Sequence, residues 1–482
     1  LGDTGSMLIG LLVGAMAITI GAGLAAMLIF RRHRNVTAAP RDGFAVAALG
    51  WIVLAGFGAL PFFIGRYIPS YLDSYFETMS GLTTTGASIL TCAGGDLPTD
   101  IEALPNCILF WRSYTHWLGG MGIIVLSLAL LPLLGVGGMQ IYRAEVPGPT
   151  PDKLVPRVRQ TTKLLWGIYV LLSVAECLLL WAHPRVTLFD AMCHTFGTMA
   201  TGGFSTHSAS VGYFGSVYVD VVIIVFMMLA GANFALHFAG LRGRLRAYIE
   251  NREFLFYCGV IGAAILVSTA LLAGAFGVWE GLRRAAFQVV SITTTTGYTT
   301  DNFNVWPLGI RLALLVLMFV GGCAGSTGGG MKNIRVVLLL KQAAVEMRRL
   351  LHPRGVIPLR LGDRAIKERV VQSVQGFAVL YVLIFVLASL IMTGVLVAWP
   401  EAIEGGDAAG PVASDTALVT AISSVAATLN NIGPGLGHVG PGDVRAYSWV
   451  PPVGKVVLIL CMLIGRLEVF SVVLLFTPWL YR

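Results

Sequence analysis

The sequence predicts an all-α integral membrane protein, with four helix–pore-loop–helix units in a quasi-fourfold arrangement around one pore and an N-terminal helix before them. Three observations support this prediction. Of the 482 residues, 56% are apolar and only 12% are charged, whereas soluble domains carry about 25% charged residues. Nine apolar runs have the length of a membrane span. Four short stretches rich in threonine and glycine recur between these runs.

The nine apolar runs each reach about 18 residues or more, which is enough for a helix to cross a bilayer. They cover approximately 6–30, 44–65, 108–134, 164–182, 217–239, 254–278, 308–340, 371–399 and 453–480. Most of the 33 lysines and arginines fall in alternate loops between the runs. The positive-inside rule places those loops and the C-terminus in the cytoplasm. Charge distributed in this way indicates membrane topology and argues against nucleic acid as a partner.

The repeated stretches divide the chain into five segments. These are an N-terminal transmembrane helix at 1–34, expected to be one of a hairpin, pore unit 1 at 44–139, pore unit 2 at 160–241, pore unit 3 at 253–341 with a broken second helix, and pore unit 4 at 370–482. In each unit, a short helix precedes the threonine- and glycine-rich stretch. Its C-terminal end carries partial negative charge and favours a cation on the axis. We expect Asp73 and Asp190 to be the N-caps of the first two short helices.

Irregular backbone at membrane depth is tolerated only where it is buried in protein or lines a watery path. Four such stretches around one axis can form a ring of carbonyl oxygens that replaces the hydration shell of a cation. Glycine lets the backbone turn its carbonyl inward at dihedral angles that other residues resist. The threonine hydroxyls either add a ligand or cap the short helix, and the sequence leaves both possibilities open.

The segment 321–330 has six glycines in ten residues inside an apolar run. Each glycine costs a helix about 1 kcal/mol relative to alanine, so we expect the helix to break near mid-membrane. A phosphate-binding loop is excluded because no Lys-Ser/Thr follows a GxxxxG pattern. Close helix packing on small residues is the alternative to a flexible loop.

Arg466 lies in the middle of the last apolar run. An arginine there costs about 2.5–3.5 kcal/mol unless it faces a cavity or a partner. We expect Arg466 to face the pore, where its charge repels cations; a structural pair with an acid of another helix is the alternative. Glu468 should point elsewhere on the helix. Glu77 and Arg112 are expected to connect a pore helix to a span.

The sequence contains no nucleophile–base pair, zinc-binding cluster or cofactor motif, so it predicts no enzyme and no cofactor bound by this chain. The seven cysteines lack CxxC spacing. Cys92 and Cys107 could both face outside, where a disulfide is possible. The chain opens with Leu1, which leaves room for upstream residues.

The sequence resembles the TrkH/KtrB/HKT superfamily of potassium transporters over almost its whole length. The stretches that carry the resemblance are 112–122 (RSYTHWLGGMG), 142–149 (YRAEVPGP), 202–207 (GGFSTH), 321–332 (GGCAGSTGGGMK), 428–437 (TLNNIGPGLG) and 465–468 (GRLE). One departure concerns the N-terminus, because TrkH proteins usually have two helices before the first unit and this chain shows one.

The resemblance implies a K⁺ selectivity filter with one key glycine in each stretch, preceded by residues that supply further oxygens. The implied filter and K⁺-binding residues are Thr84, Thr85, Gly86, Thr201, Gly202, Gly203, Thr295, Thr296, Gly297, Asn431, Ile432 and Gly433. It also implies a gate below the filter. The implied gating residues are Arg466, Gly321, Gly322, Gly325, Ser326, Thr327, Gly328, Gly329 and Gly330.

At the level of function, the resemblance implies K⁺ uptake across a bacterial inner membrane through a gated, channel-like, K⁺-selective pore. It implies a homodimer and a cytosolic TrkA-like ring that binds the regulatory nucleotide. The basic segment 332–369 could contact this ring or anionic membrane lipid. The alternative is a secondary symporter that couples K⁺ to Na⁺ or H⁺.

Overall fold

The computed structural model describes residues 2–31, 40–90, 100–134, 154–355, 357–362, 364–399, 411–442 and 446–478. These residues form an almost entirely helical fold, which confirms the predicted class. The strands within the described ranges form one antiparallel hairpin, Arg360–Leu361 with Arg364–Ala365. Helix Gly2–Ile29 precedes four successive units.

Each unit contains a first helix, a short pore helix, a non-helical stretch and a second helix. The first helices are Pro40–Gly58, Leu154–Trp181, Arg252–Phe276 and Glu368–Ala398. The pore helices are Tyr71–Leu82, Leu188–Ala200, Val278–Thr293 and Pro411–Leu429. The second helices begin with Asn106–Leu134, Val217–Ala230, Leu308–Met318 and Pro452–Leu467. Further helices are Leu60–Ile64, Phe234–Leu241, Arg246–Glu250, Asn333–Leu351 and Val469–Val473.

Three of the second helices are broken, although the sequence predicts a break only in the third unit. There, the helix ends at Met318 and resumes at Asn333, as predicted. The prediction of one continuous span over 217–239 is wrong, because the chain turns by 102° after residue 230. The Asn233 side chain accepts a hydrogen bond from the Ala235 amide at 2.8 Å and caps the new helix.

The predicted single span over 453–480 is also wrong. The fourth unit's second helix ends at Leu467, and Glu468 has a φ of 65° before helix Val469–Val473 begins. A left-handed glutamate gives no local signal comparable to a run of glycines. Instead, Glu468 forms ion pairs with Lys332 and Arg335 at this break.

The breaks shorten the uninterrupted spans. Four of the described helices are long and apolar enough to cross a membrane, or five if the bent pair around residue 232 counts as one span. The sequence predicts nine spans, and the bends in units 2, 3 and 4 are features that a hydropathy pattern does not register. Lipid is a suitable environment for the outward surface, where Leu266, Val379 and Leu390 are 70%, 71% and 64% exposed.

The N-caps of the first two pore helices are Ser70 and Thr187 rather than the predicted aspartates. The Ser70 hydroxyl accepts from the Asp73 amide at 3.4 Å, and the Thr187 hydroxyl accepts from the Asp190 amide at 3.1 Å. The aspartates lie in the first turn, where a carboxylate interacts favourably with the helix dipole. The prediction thus misplaced the cap by three residues.

Candidate functional site

The four threonine- and glycine-rich stretches share one backbone conformation. Their key glycines, Gly86, Gly203, Gly297 and Gly433, have φ values of 81°, 79°, 83° and 97°. Two residues earlier, a non-glycine residue also has a positive φ in every stretch. These residues are Thr84, Thr201, Thr295 and Asn431, with φ values of 50°, 55°, 61° and 54°. Positive φ at a non-glycine residue is uncommon, so its recurrence marks four copies of one structural element.

The four stretches close into a ring in chain order. A Cβ atom added to each key glycine would collide with a carbonyl oxygen of a neighbouring unit. The pairs are Gly86 with Gly202, Gly203 with Thr296, Gly297 with Ile432, and Gly433 with Thr85. The fourth unit thus returns to the first, and the structure brings the predicted filter residues of all four units together around one axis.

The hydroxyls of four threonines in units 1 and 3 are bound within the protein. Thr83 Oγ1 donates to the Met79 carbonyl at 2.6 Å and contacts Thr85 Oγ1 at 2.8 Å. Thr294 and Thr296 repeat the hydroxyl contact at 2.8 Å. This geometry favours the capping role over a ligand role for these hydroxyls. Thr84 Oγ1 is different, because it is buried without a hydrogen-bond partner among the described residues.

Glu77 and Arg112 connect pore helix 1 to its second helix, as expected. Arg112 Nε lies 2.6 Å from Glu77 Oε1, and both side chains are buried. The sequence did not indicate that Arg112 also donates to the Ser205 carbonyl at 2.8 Å, beyond the second stretch. It also missed Tyr447, whose hydroxyl donates to the carbonyl of the key glycine Gly433 at 2.7 Å. Only the folded chain places these distant residues beside the ring.

The glycine-rich loop lies directly against the filter stretches. Thr327 Oγ1 donates to the Met199 carbonyl at 3.0 Å, near the end of pore helix 2. The Gly329 amide donates to Thr295 Oγ1 at 2.7 Å, in the third stretch. Positive φ values of 73°, 78° and 73° at Gly321, Gly325 and Gly330 require glycine. All predicted gating glycines, with Ser326 and Thr327, therefore belong to one irregular segment below the ring.

Arg466 is buried and binds this loop. Its Nη1 donates to the Thr327 carbonyl at 2.7 Å, and its Nη2 donates to the Gly119 carbonyl at 3.1 Å. Within the described part of the chain, no acidic side chain forms an ion pair with Arg466. Glu468 points elsewhere, as expected, and lies 2.7 Å from Arg335 and 3.5 Å from Lys332.

The site offers neutral oxygens rather than a charged metal centre. Among the described residues, no group of three histidine, cysteine or acidic side chains could hold a metal ion. Two features predicted from the sequence lie outside the described residues: Cys92 of the possible disulfide, and the motif at 142–149.

The ring, the pore helices and the loop beneath them define a membrane protein with a quasi-fourfold central pathway. The sequence matches the family TrkH, described as cation transport protein, over residues 12–251 and 274–480, and the chain belongs to this family. The resemblance inferred from the sequence motifs is therefore confirmed.

Individual members of the family are similar to this chain in sequence and in structure. The Trk system potassium uptake protein TrkH of Salmonella typhimurium is 44% identical over 449 residues, covering 92% of this chain and 86% of the relative. TrkH of Halomonas elongata is 44% identical over 478 residues, covering 98% and 92%. The crystal structure of the potassium transporter TrkH from Vibrio parahaemolyticus superposes with a TM-score of 0.82 at 40% identity, covering 98% of this chain and 92% of that one.

Proposed function

We propose that this chain takes up K⁺ across a bacterial inner membrane through a gated, channel-like pore. The observation that carries the proposal is the ring in which each key glycine faces a carbonyl of the next unit. Carbonyl oxygens replace hydration oxygens without a fixed charge, so an ion can enter and leave. The relatives named as potassium uptake proteins support K⁺ as the ion.

In this proposal, the twelve residues predicted from the resemblance form the filter. Gly86, Gly203, Gly297 and Gly433 let neighbouring strands approach so closely that no Cβ would fit. The four residues before them, Thr85, Gly202, Thr296 and Ile432, contribute the carbonyls on which the glycines pack. Four different sequences supply these carbonyls, so we expect looser coordination than in a symmetric tetramer.

The glycine-rich loop and Arg466 act as the gate in this proposal. The loop is bonded to the third filter stretch through Gly329 and to Arg466 through Thr327. A guanidinium below the ring repels a cation that leaves the filter, because two like charges are poorly screened from each other in a low-dielectric site. Opening would require the loop and Arg466 to move together.

Regulation is proposed to come from a cytosolic nucleotide-binding ring, with the protein as a homodimer. The helix that leaves the loop, Asn333–Leu351, ends with Arg348 and Arg349, which are exposed. A partner that binds this basic helix could pull the loop directly. Anionic lipid is the other source of negative charge for the same residues.

One observation favours H⁺-coupled symport as a second candidate. Glu176 is fully buried in the first helix of unit 2, and neither carboxylate oxygen has a hydrogen-bond partner among the described residues. Acids within membrane spans commonly mark ion or proton pathways. A coupled transporter would require such a group to gain and lose a proton in each cycle.

Planar-bilayer recording of the purified protein in K⁺/Na⁺ gradients tests the proposal. A K⁺-selective channel gives large unitary currents that reverse at the K⁺ equilibrium potential, whatever the pH gradient. A symporter gives a reversal potential that shifts with the H⁺ or Na⁺ gradient. Absence of any K⁺ current or Rb⁺ flux from protein that is folded would refute the proposed function.

A further inference from the structure

Glu253 connects the first half of the glycine-rich loop to the helix that follows the loop, through one carboxylate oxygen. It lies in the first turn of helix Arg252–Phe276, and its side chain is directed at the loop. Its Oε1 accepts from the Ala324 amide at 2.6 Å and from the Ile334 amide at 3.2 Å. Ala324 lies in the first half of the loop, and Ile334 lies just after its end.

The second of these bonds replaces a missing helix cap. The first amides of a helix have no acceptor within the helix. Helix Asn333–Leu351 has Lys332 at its N-cap position, with a φ of 67° and no capping hydrogen bond from its side chain. Glu253 supplies the acceptor from another helix, and its negative charge suits the positive end of the helix dipole.

The basic side chains near this cap form ion pairs with a residue of unit 4. Lys332 and Arg335 form ion pairs with Glu468, which lies at the break in the second helix of unit 4. The loop end is therefore held on two sides, by Glu253 through the backbone and by Glu468 through side chains. Glu253 is itself only 7% exposed, so its hydrogen bonds are well shielded from water.

The element that carries Glu253 leads directly to the predicted cytoplasmic surface. Residues 242–251 immediately precede it, and Arg242, Arg244 and Arg246 in this segment are exposed. A displacement of this segment would be transmitted to Glu253 over two peptide bonds from Asn251. The gate would then respond to the segment 242–251 as well as to the helix that follows the loop.

We propose that Glu253 is a positioning residue that holds the glycine-rich loop closed beneath the filter by capping helix Asn333–Leu351 and binding the first half of the loop. The proposal rests on the proposed function of that loop as the gate. Within the ranges that the structure describes, the hydrogen bonds of Glu253 go to the loop and to the helix after it, and none goes to a filter stretch. Its loss should therefore change how often the pore is open and leave ion selectivity unchanged.

Rb⁺ uptake into liposomes by the purified full-length chain, without a cytosolic partner, tests the proposal. Glu253→Ala removes both charge-assisted hydrogen bonds, and we expect initial uptake to rise about tenfold. Glu253→Gln keeps an acceptor oxygen without the charge, so a smaller increase is expected. Glu368→Ala is the matched control, because Glu368 is an exposed acid in the first turn of the first helix of unit 4 and should leave uptake unchanged.

Two further measurements separate positioning from general damage. The bi-ionic K⁺/Na⁺ reversal potential of Glu253→Ala should equal that of the wild type. Amide hydrogen exchange in peptides covering 321–335 should become faster in this variant, and this measurement does not depend on transport. If Glu253→Ala cannot be recovered folded, the reversal potential and the amide exchange of Glu253→Gln are compared with those of the wild type instead, and they test the proposal in the same way.

Uptake at or below the wild-type level, a shifted reversal potential, or unchanged exchange would each overturn the role of Glu253. Absence of Rb⁺ flux in the wild type and every variant would instead refute the proposed function. In that case, faster exchange in 321–335 of Glu253→Ala would still show that Glu253 holds the loop. Unchanged exchange would refute the role of Glu253 as well.

Discussion

Lys455 Nζ lies 2.7 Å from Asp73 Oδ1, and this ion pair joins the second helix of unit 4 to the pore helix of unit 1 across 382 residues of sequence. A pair of reversed polarity joins units 2 and 3, where Arg283 Nε lies 2.8 Å from Asp220 Oδ2. Lys455 and Asp220 are each the fourth residue of their second helices. The two contacts therefore start from the same position of the second helix and reach the pore helix of the next unit, with the charges exchanged.

The other two junctions also have polar links. Arg112 of unit 1 donates to the Ser205 carbonyl of unit 2 at 2.8 Å. Asn304 of unit 3 donates to the Gly437 carbonyl of unit 4 at 3.1 Å. Every junction between neighbouring units is thus bridged by at least one polar contact.

Breaking the Lys455–Asp73 link should destabilise the fold. Lys455→Asp places two acids together at a site where Lys455 is 6% exposed. We expect a loss of about 2–4 kcal/mol, seen as a lower midpoint of thermal unfolding in detergent. The double variant Lys455→Asp/Asp73→Lys should recover most of this loss.

Lys163→Asp is the control, because Lys163 is an exposed residue and its change should have little effect. A double variant no more stable than Lys455→Asp alone would show that the two residues do not interact energetically.

Gly86→Ser should reduce discrimination between K⁺ and Na⁺. An added Cβ would collide with the Gly202 carbonyl and displace the neighbouring strand. The bi-ionic reversal potential should therefore move toward zero. Gly376→Ser is the matched control, because no atom lies within 4 Å of an added Cβ there. An unchanged reversal potential in Gly86→Ser would remove Gly86 from the filter.

Arg466→Ala should raise Rb⁺ flux into proteoliposomes about tenfold or more, because it removes a charge from the path and frees the Thr327 carbonyl. Arg466→Lys keeps the charge and should remain close to the wild type. If flux falls in Arg466→Ala while the protein stays folded, Arg466 has a structural role instead.

Deleting residues 325–329 should give constitutive Rb⁺ flux without any cytosolic partner. The deletion removes the contacts of Thr327 and Gly329 with the second and third units. Thr327→Val is a milder variant that loses only the hydroxyl bonds, so a smaller increase is expected. A folded deletion variant no leakier than the wild type would mean that the glycines serve packing and that the gate lies elsewhere.

The sequence by itself determined the helical membrane class, the four repeated stretches and the break at 321–330. These features are local, since apolar runs, glycine clusters and short motifs act through their own composition. It also identified Arg466 as unusual, because one buried charge in an apolar run is visible without a structure.

The tertiary structure alone decided where the other breaks fall and which residues hold the gate segment. Glu468 has a positive φ that no local preference favours, and its ion pairs with Lys332 and Arg335 offset that cost. Glu253 gave no sequence signal, because it caps a helix that begins 80 residues later. Such contacts depend on how the units assemble, and a linear pattern does not encode which distant carboxylate will meet an unpaired amide.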